Sequence, residues 1–371
     1  MTRPHVVIDA RPIETSTGRY MQRLVEQLND LSLGDINYTV LVPTAHVEKW
    51  TQRLTHMNIV AADQKWYSFA EQWSLYKQLR ELKPDLVHFT MPQQPLLWRG
   101  RSVTTIHDTT LLRYSTNRGG NPLKYALRKY IFTALLKAVI KRSEQIITPT
   151  EYVKQDLIKF AGKKYQDKFI VTLEAGEPSE DMPVAVPTLQ NKQYLFYIGN
   201  AFPYKNLERI LRAYTKLKPT HPQLELVFAG KPDYFYEQLK TLSKQLEVSN
   251  VHFLGFVSDG EKRWLFKNAS AYIVASLSEG FHIPGLEAMY EHCPVISADA
   301  TCLPEVLGDA ALYFDPLSTD SLVQTVNSLL DNTSLRAELI TKGDQRVGQF
   351  SWKKMTEQTS AVYKSVFDKK T

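Results

Sequence analysis

The feature that most constrains the fold is a repeated alternation of short apolar segments with segments of helical periodicity. HVVIDAR (5–11) and YTVLVP (38–43) have the length of buried strands, and apolar residues recur at helical spacing between them. Three more buried strands are predicted in the same half of the chain, at 85–90, 102–108 and 144–150. Strands that alternate with helices in this way predict a parallel, doubly wound α/β sheet.

The alternation stops at AGEPSEDMPVAVPTLQNKQ (175–193), which carries three prolines and several acidic residues and resembles a linker. It then restarts, and six further strands are predicted, at 194–199, 224–230, 251–255, 271–276, 294–299 and 310–315. A chain of 371 residues is long enough for two cores of ordinary size. We therefore predict Rossmann-like domains at 1–180 and 194–350, joined by a linker at 181–193. The C-terminal helical segment, 351–371, is expected to cross back to the N-terminal domain.

The N-terminus and the cysteines indicate the cellular setting. Asp9 and Arg11 interrupt the apolar stretch that a secretory signal would need, and no window approaches eighteen consecutive apolar residues. Cys293 and Cys302 are the only cysteines, too few for a disulfide framework or a cysteine zinc site. We therefore expect a cytoplasmic protein whose two thiols are small buried side chains.

The net charge of +6 is concentrated in one segment. Residues 99–142 contain ten basic residues and one acidic residue, Asp108, and such a block attracts nucleic acid, anionic lipid or phosphorylated substrates. A solvated basic face without a partner is the alternative. The helix predicted at 124–142 does not place its basic residues on one face, which favours a core-packed helix with charged edges over a membrane-surface helix.

Two predicted strand ends in the second domain carry residues suited to a phosphate-containing ligand. Ligands of open parallel sheets bind beyond the carboxyl ends of the strands, so with two sheets we expect the site in the cleft between them. Gly199 ends one strand and allows close backbone approach to a ligand. Lys205 stands near a predicted helix start at Asn206, where a phosphate is favoured. Taken alone, Lys205 is better explained as a surface lysine before a helix cap.

The segment SEGFHIPGLEAM (278–289) follows another strand of this domain. Glu279 lies in a glycine-containing loop, and Glu287 is predicted in the first turn of a helix that begins near Gly285. Loop amides can hold an oxyanion while carboxylates accept hydrogen bonds from hydroxyls, and a nucleotide sugar, with its diphosphate between two polyols, uses both. The alternatives are a turn residue for Glu279 and simple stabilisation of a helix start for Glu287.

At this point the sequence resembles the retaining glycosyltransferases of family 4, also called group 1. The resemblance rests on the E-x7-E pair with the preceding NASAYIVASLSEGF, the G…KN loop, and CPVISADATCLPEVLGDAALYFDP. In the N-terminal half, IDARP…TGRYMQRL, DLVHF, VTTIHD and IITPTEYVKQDLIKF follow in the family's order. The resemblance implies the GT-B fold, in which two Rossmann-like domains face each other across a cleft.

The resemblance also assigns roles to individual residues. It implies that Glu279 contacts the transferred sugar, that Glu287 holds the ribose hydroxyls and that Lys205 neutralises the diphosphate. Gly18 matches a glycine loop that faces the diphosphate, and His107 matches a histidine beside the sugar. The catalytic residues it implies are therefore Glu279, Lys205 and His107. The donor-binding residues it implies are Gly18, Gly199, Asn200, Lys205, Glu279, Gly280, Phe281, His282 and Glu287.

Two positions depart from the family pattern. Family members often have Arg where Asn200 stands, so Lys205 has less help in neutralising the leaving group. They commonly have Gly where His282 stands, and a histidine there either turns away or contributes a donor near the sugar. Both departures affect the geometry expected for the donor, while the class of enzyme is unaffected.

The function implied is retaining transfer of a hexose, mannose or glucose, from a GDP- or UDP-linked donor. The acceptor is expected to be a hydroxyl of a glycan or lipid-linked acceptor in cell-surface polysaccharide synthesis, without a cofactor or metal. Two rival classes are a nucleotide-sugar epimerase, which the E-x7-E spacing disfavours, and a non-catalytic nucleic-acid-binding protein, which lacks a zinc or RNA-binding signature here. We expect no nucleic-acid partner and a weak, salt-sensitive peripheral contact with the inner membrane face through residues 99–142.

Overall fold

The chain forms two compact units in a computed structural model that describes residues 3–13, 18–31, 35–66, 68–115 and 120–368. The first unit combines Met1–Thr109, Leu123–Glu174 and Trp352–Thr371. The second combines Thr110–Pro122 and Ala175–Ser351. The chain therefore leaves the first unit for a short excursion before its main passage into the second, and it ends in the first.

Each unit is built on one parallel sheet. Among the described residues, the first sheet contains β1 (His5–Asp9), β2 (Asn37–Val42), β3 (Asn58–Ala61), β4 (Leu86–Phe89), β5 (Ser102–Thr105), β6 (Gln145–Thr148) and β7 (Phe169–Val171). The second contains β8 (Gln193–Ile198), β9 (Leu224–Ala229), β10 (Val251–Gly255), β11 (Ala271–Val274), β12 (Val295–Ala298) and β13 (Ala311–Phe314). Their orders are β3-β2-β1-β4-β5-β6-β7 and β10-β9-β8-β11-β12-β13, the doubly wound arrangement, which confirms the predicted α/β class.

Helices connect the strands in both units. Those of the described residues are α1 (Gly18–Leu31), α2 (Val47–Arg53), α3 (Tyr76–Leu82), α4 (Thr110–Arg113), α5 (Pro122–Arg142), α6 (Glu151–Ala161), α7 (Leu207–Leu217), α8 (Tyr234–Gln245), α9 (Asp259–Asn268), α10 (Ile283–Tyr290), α11 (Leu303–Leu307), α12 (Thr319–Leu330), α13 (Thr333–Val347) and α14 (Trp352–Asp368). A π-helical turn, Glu71–Leu75, precedes α3. The helical periodicity predicted for α1 is confirmed, because its regularly spaced apolar residues are buried.

A buried polar network joins α14 to the sheet of the first unit. His88 on β4 contacts the Tyr363 hydroxyl of α14 through Nδ1 at 2.6 Å and the Thr105 hydroxyl through Nε2 at 2.8 Å. Burial, with a smaller effect of the charge on His107, lowers the pKa of His88 to about 3. His88 is therefore neutral at physiological pH, and both ring nitrogens are satisfied by hydroxyls.

A second buried cluster fixes the π-helical turn. The Arg11 guanidinium donates to both carboxylate oxygens of Asp9, at 2.8 and 2.7 Å, and to Glu71 Oε1 at 3.0 Å. All three side chains are almost completely buried. Removing Arg11 would leave two buried carboxylates without their shared cation, so this cluster ties the turn to the end of β1.

Several elements differ from the sequence predictions. The strands β3 and β7 and the helix α9 were not predicted, because β3 is half-exposed, β7 spans three residues and α9 is mostly polar. The prediction that α5 is a core-packed helix is correct only for its second half, where Leu135, Leu136, Val139 and Ile140 are buried. The first half of α5 is largely exposed to solvent.

Candidate active site

The centre of the candidate site is an ion pair in the second unit. Lys205 Nζ donates to Glu279 Oε1 at 2.6 Å, and the two side chains are 12% and 10% exposed. Lys205 ends a short 3-10 turn after β8, and Glu279 lies in the loop after β11. Both strands end at the same edge of the sheet, so the topology brings together the two residues that the sequence placed at separate strand ends.

Backbone contacts hold the two loops against each other. The amide of Leu277 donates to the carbonyl of Tyr204 at 2.7 Å. Asn206 adopts a left-handed backbone conformation, with φ of 58°, and its side-chain amide donates to the carbonyls of Ala275 and Pro316. Asparagine tolerates this conformation better than most residues. The asparagine of the KN pair therefore fixes the backbone immediately after Lys205.

Glu279 is ionised in this environment. Burial opposes ionisation of its carboxyl, but the charges of Lys205 and His282 and their hydrogen bonds outweigh burial and hold the pKa of Glu279 well below its usual range. The backbone amide of Glu279 also donates to the Thr301 hydroxyl at 3.1 Å. An ionised carboxylate accepts hydrogen bonds only, which suits recognition of ligand hydroxyls.

His282 contacts Glu279 directly. Its Nδ1 lies 3.1 Å from Glu279 Oε1, and its Nε2 lies 3.1 Å from the hydroxyl of Tyr272. The residue is 8% exposed and has a φ of 77°, in the left-handed region. That backbone conformation explains physically why glycine suits this position, and in this chain the histidine ring is turned towards Glu279.

The loop before α10 presents backbone donors. The helix begins at Ile283, with His282 as its N-terminal capping residue. Within the described ranges, the amides of Phe281 and His282 have no hydrogen-bond partner in the protein. Amides at a helix start favour an anion, so these two groups can contribute to binding a phosphate. Gly280 precedes them and is buried.

Glu287 also forms an ion pair. Its Oε1 accepts from Lys262 Nζ of α9 at 2.8 Å, and the Glu287 side chain is almost completely buried. The prediction that Glu287 lies in the first turn of its helix is wrong, because α10 begins two residues earlier than expected and Glu287 is in its second turn. The ion pair with Lys262 therefore accounts for the carboxylate of Glu287 better than interaction with the helix dipole does.

The loop after β8 has little space around its backbone. A side chain on Gly230 would collide with the carbonyl oxygen of Gly199, since a Cβ built there lies 1.9 Å from that atom. Asn200 accepts a hydrogen bond at 3.3 Å from the amide of Phe202 through its side-chain oxygen, and its own carbonyl accepts from the Tyr197 hydroxyl at 2.7 Å. Asn200 thus stabilises the loop that leads to Lys205.

His107 belongs to the first unit. Its Nδ1 lies 2.9 Å from Glu174 Oε1 and its Nε2 lies 3.0 Å from the carbonyl oxygen of Thr90. Both partners are acceptors, so both ring nitrogens donate and the ring is an imidazolium. Burial opposes this charge, but the hydrogen bond and charge of Glu174 outweigh it and raise the pKa of His107. The ring of Tyr20 packs edge-to-face against the ring of His107, with 4.7 Å between the ring centroids.

Gly18 is the first residue of α1, also in the first unit. A Cβ at this position would lie 2.0 Å from the carbonyl oxygen of Ile13, so only glycine fits. The rest of the predicted glycine loop, residues 14–17, lies outside the described residues. The close backbone approach explains the glycine without reference to a ligand.

Sequence reasoning missed three residues of these clusters: Glu174, Lys262 and Tyr272. Glu174 follows the short strand β7, which was not predicted. Lys262 lies on α9, whose start could have been found from the capping box formed by Ser258 and Glu261. Tyr272 lies within a predicted strand, and nothing in its local sequence indicates that its hydroxyl meets His282. Among the described residues, no group of three or more His, Cys, Asp or Glu side chains could hold a metal ion.

Comparison with known proteins agrees with this arrangement of strands and loops. The family model described as "Glycosyl transferases group 1" matches residues 179–346, and the model described as "Glycosyltransferase Family 4" matches residues 17–170. The chain belongs to the group 1 glycosyltransferases. Together the two models cover most of both halves of the chain, so the chain is a glycosyltransferase by family.

Individual relatives of this glycosyltransferase span most of its length. The O-antigen chain mannosyltransferase B of Escherichia coli is 29% identical over 300 residues, which cover 77% of this chain and 76% of the relative. The O-antigen chain mannosyltransferase RfbU of Salmonella typhimurium is 27% identical over 273 residues, 72% of each chain. Anabaena HepE, solved in complex with UDP and glucose, has a TM-score of 0.74 at 15% identity and covers 98% of this chain and 100% of its own. The predicted GT-B fold is confirmed.

Proposed function

We propose that this glycosyltransferase is a retaining mannosyltransferase that uses GDP-mannose, with UDP-glucose as the alternative donor. Its acceptor is a hydroxyl of a glycan or lipid-linked acceptor in cell-surface polysaccharide synthesis. The observation that carries the proposal is the Lys205–Glu279 ion pair beside backbone amides that have no partner among the described residues. Mannose is favoured because both O-antigen relatives are named mannosyltransferases.

Lys205 and the amides of Phe281 and His282 stabilise the leaving group. Transfer breaks the bond between the anomeric carbon of the sugar and an oxygen of the β-phosphate, and negative charge develops on that phosphate. A positive lysine and preorganised amides stabilise this charge in the transition state. One such donor contributes roughly 2.7–4 kcal/mol in well-studied oxyanion sites. These groups belong to the chain itself, so the proposal assigns no metal or cofactor.

Retention follows if the acceptor attacks the face from which the phosphate leaves. The acceptor oxygen then forms the new bond to the anomeric carbon, and its proton passes to the departing phosphate oxygen. In this scheme Glu279 is a hydrogen-bond acceptor for sugar hydroxyls and does not become a nucleophile. Its depressed pKa supports that role, because a carboxylate that stays ionised accepts hydrogen bonds throughout the reaction.

The remaining residues are assigned to the nucleotide and the sugar. Glu287, held by Lys262, accepts hydrogen bonds from the ribose hydroxyls. His107 is assigned to the sugar, where its imidazolium can donate once a ligand competes for one of its two partners. Gly18 is assigned to the diphosphate. These assignments come from the family pattern, and the observed charges and burial are compatible with them.

The exposed half of α5 supports peripheral contact with an anionic membrane. Four large apolar residues, spaced at i, i+4, i+7 and i+8, are 51–79% exposed: Leu123, Leu127, Tyr130 and Ile131. This spacing places them on one face of the helix, within an arc of about 100° around its axis. The helix carries six basic residues and no acidic residue, at 124, 128, 129, 137, 141 and 142. An exposed apolar stripe on a basic helix fits the interface of an anionic bilayer.

Peripheral attachment to the membrane surface does not require a helix that spans the bilayer. Over the described residues, no helix is both long enough and apolar enough to cross a bilayer. The apolar stripe would insert shallowly, while the basic side chains would be attracted to anionic headgroups. Because the stripe adds an apolar contribution that salt does not screen, we propose binding that weakens with salt without vanishing.

Release of nucleoside diphosphate from a panel of nucleotide sugars, with and without acceptor glycans, tests the proposed function. We expect acceptor-dependent release of GDP from GDP-mannose and a product with the anomeric configuration of the donor. An epimerase would interconvert the sugar without releasing nucleotide. A protein that releases no nucleotide from any donor and binds none of them would overturn the proposal.

A further inference from the structure

His282 occupies a position whose left-handed backbone conformation is uncommon for residues other than glycine. Its φ of 77° lies in the left-handed region, which side chains with a Cβ rarely adopt. The ring is nevertheless buried and stacks on Tyr272 with 6.0 Å between ring centroids and 22° between ring planes. A strained backbone at a buried polar residue beside a candidate active site calls for a functional explanation.

The ring of His282 connects Tyr272 to Glu279 by hydrogen bonds. Burial, with smaller contributions from the charges of Glu279 and Glu287, raises the pKa of Tyr272 far above its usual value, so its hydroxyl stays protonated. The Tyr272 hydroxyl lies 3.1 Å from His282 Nε2 and 3.5 Å from the carbonyl oxygen of Ile198, and His282 Nδ1–H donates to Glu279. His282 Nδ1 therefore faces the Glu279 carboxylate, and Nε2 faces the Tyr272 hydroxyl.

The carboxylate of Glu279 receives both of its donors on one oxygen. Lys205 Nζ and His282 Nδ1 both contact Oε1, at 2.6 and 3.1 Å. Within the part of the chain that the structure describes, no contact is made to Oε2. These two donors hold the carboxylate through Oε1, and Oε2 is the oxygen that can accept from a ligand hydroxyl.

We propose that His282 is a positioning residue for glycosyl transfer, which orients Glu279 so that Oε2 meets a hydroxyl of the donor sugar. The proposal rests on the proposed function and deepens it, because it assigns the His282 side chain to Glu279, while the backbone amide of His282 keeps its role towards the phosphate. Both ring nitrogens are already engaged by Tyr272 and Glu279, so the ring acts on the sugar only through the carboxylate.

Two substitutions at this position separate positioning from packing. His282→Asn keeps a side chain that tolerates the left-handed conformation and places an amide nitrogen where Nδ1 stands, so it can still donate to Glu279. His282→Gly relieves the backbone strain and removes the donor. We expect kcat within about threefold of wild type for His282→Asn and at least about tenfold lower for His282→Gly.

Nucleotide affinity distinguishes a positioning role from a merely structural one. If His282 were only structural, its replacement would also lower nucleotide affinity. Because His282 acts through Glu279 on the sugar, the affinity of both variants for free GDP or UDP should stay within about twofold of wild type. A loss of nucleotide affinity in His282→Gly that parallels the loss of kcat would indicate general disruption of the loop and overturn the proposal.

A double-mutant cycle gives the decisive comparison. If His282 acts only through Glu279, then His282→Gly should lower kcat no further in a Glu279→Ala background. Provided that the wild-type protein transfers sugar, three results would each overturn the proposal. These are additive losses of kcat in the double variant, a fully active His282→Gly variant, and equal losses of kcat in His282→Asn and His282→Gly. Absence of transfer by the wild-type protein with every donor would instead reject the proposed function, and the role of His282 with it.

Discussion

Lys205 and Glu279, 74 residues apart in the chain, meet at 2.6 Å in the second unit. The pair is nearly buried, and the pKa of Glu279 is depressed although burial opposes it. A carboxyl with a depressed pKa stabilises the folded protein at pH values above its ordinary pKa, and that contribution is lost as pH falls through the folded value. The ion pair therefore has a consequence for stability that is separate from catalysis.

We predict that Lys205→Met lowers the free energy of unfolding most at neutral pH. The difference from wild type should stay constant down to about pH 5 and shrink as pH falls from there towards 3, because the wild-type protein loses the stabilisation from Glu279 only below the ordinary pKa of glutamate, about 4.3. Urea unfolding at several pH values measures this difference. Lys216→Met, which removes an exposed partner of Asp320, is the control and should show a small effect at every pH. A difference that does not change with pH would contradict the prediction.

Glu287→Ala should weaken the binding of free GDP or UDP by about tenfold, because its assigned partner is the ribose. Glu291→Ala is a matched control, since Glu291 lies about one turn later, as the C-terminal capping residue of α10, and is paired in the same way, with Arg263. Both variants lose a buried ion pair and should be destabilised. Titration calorimetry compares their affinities, and equal affinities in the two variants would remove Glu287 from the site.

His107→Ala should reduce transfer more than it reduces nucleotide affinity, because His107 is assigned to the sugar. Steady-state kinetics and nucleotide titration on the same preparation measure the two effects. If thermal stability and nucleotide binding fall together, His107 is better explained as a structural residue of the first unit.

The His107–Glu174 pair also predicts a pH dependence of stability. The pKa of His107 is raised, so the pair stabilises fully below the ordinary pKa of histidine, about 6.5, and this stabilisation is lost as pH rises through the folded value. The cost of His107→Gln in unfolding free energy should therefore be larger at pH 6 than at pH 9. A cost that grows with pH would show that the ring is not held as an imidazolium.

Replacing Leu127 and Tyr130 with serine should reduce binding to vesicles that contain phosphatidylglycerol, at low and at high salt alike. The apolar stripe supplies the part of the binding that salt does not screen, while Lys137→Gln with Lys141→Gln should remove mainly the salt-sensitive part. Leu317→Ser, at a similarly exposed leucine of the second unit, is the control and should bind as wild type. Binding that ignores lipid charge, or no binding at low salt, would refute membrane contact by α5.

The sequence was sufficient to predict that the site residues lie at strand ends, because they follow strongly apolar strands. Lys205 and Glu279 stand at the ends of β8 and β11, which are buried almost throughout, and sheet topology then brings them to one edge. Their separate positions could be predicted, whereas their direct ion pair depends on loop conformations set by Asn206 and Thr301.

Other contacts could not be predicted because the elements that carry them have weak local signals. Lys262 meets Glu287 from α9, a mostly polar helix. The exposed half of α5 was hidden because the helix has apolar residues around most of its circumference, exposed ones on one side in its first half and buried ones on the other side in its second half. Periodicity alone does not tell which part of a continuous apolar face is covered by the rest of the protein.

The most direct test of the central claim compares transfer rates of Lys205→Ala and Lys216→Ala with wild type, using GDP-mannose, UDP-glucose and a panel of acceptor glycans. We expect acceptor-dependent release of nucleoside diphosphate to fall at least about tenfold in Lys205→Ala, because the developing charge on the leaving phosphate loses its lysine. Lys216→Ala, which alters only an exposed pair in the same unit, should match wild type. Near-normal transfer by a folded Lys205→Ala protein would contradict the assignment of the Lys205–Glu279 pair as the catalytic centre.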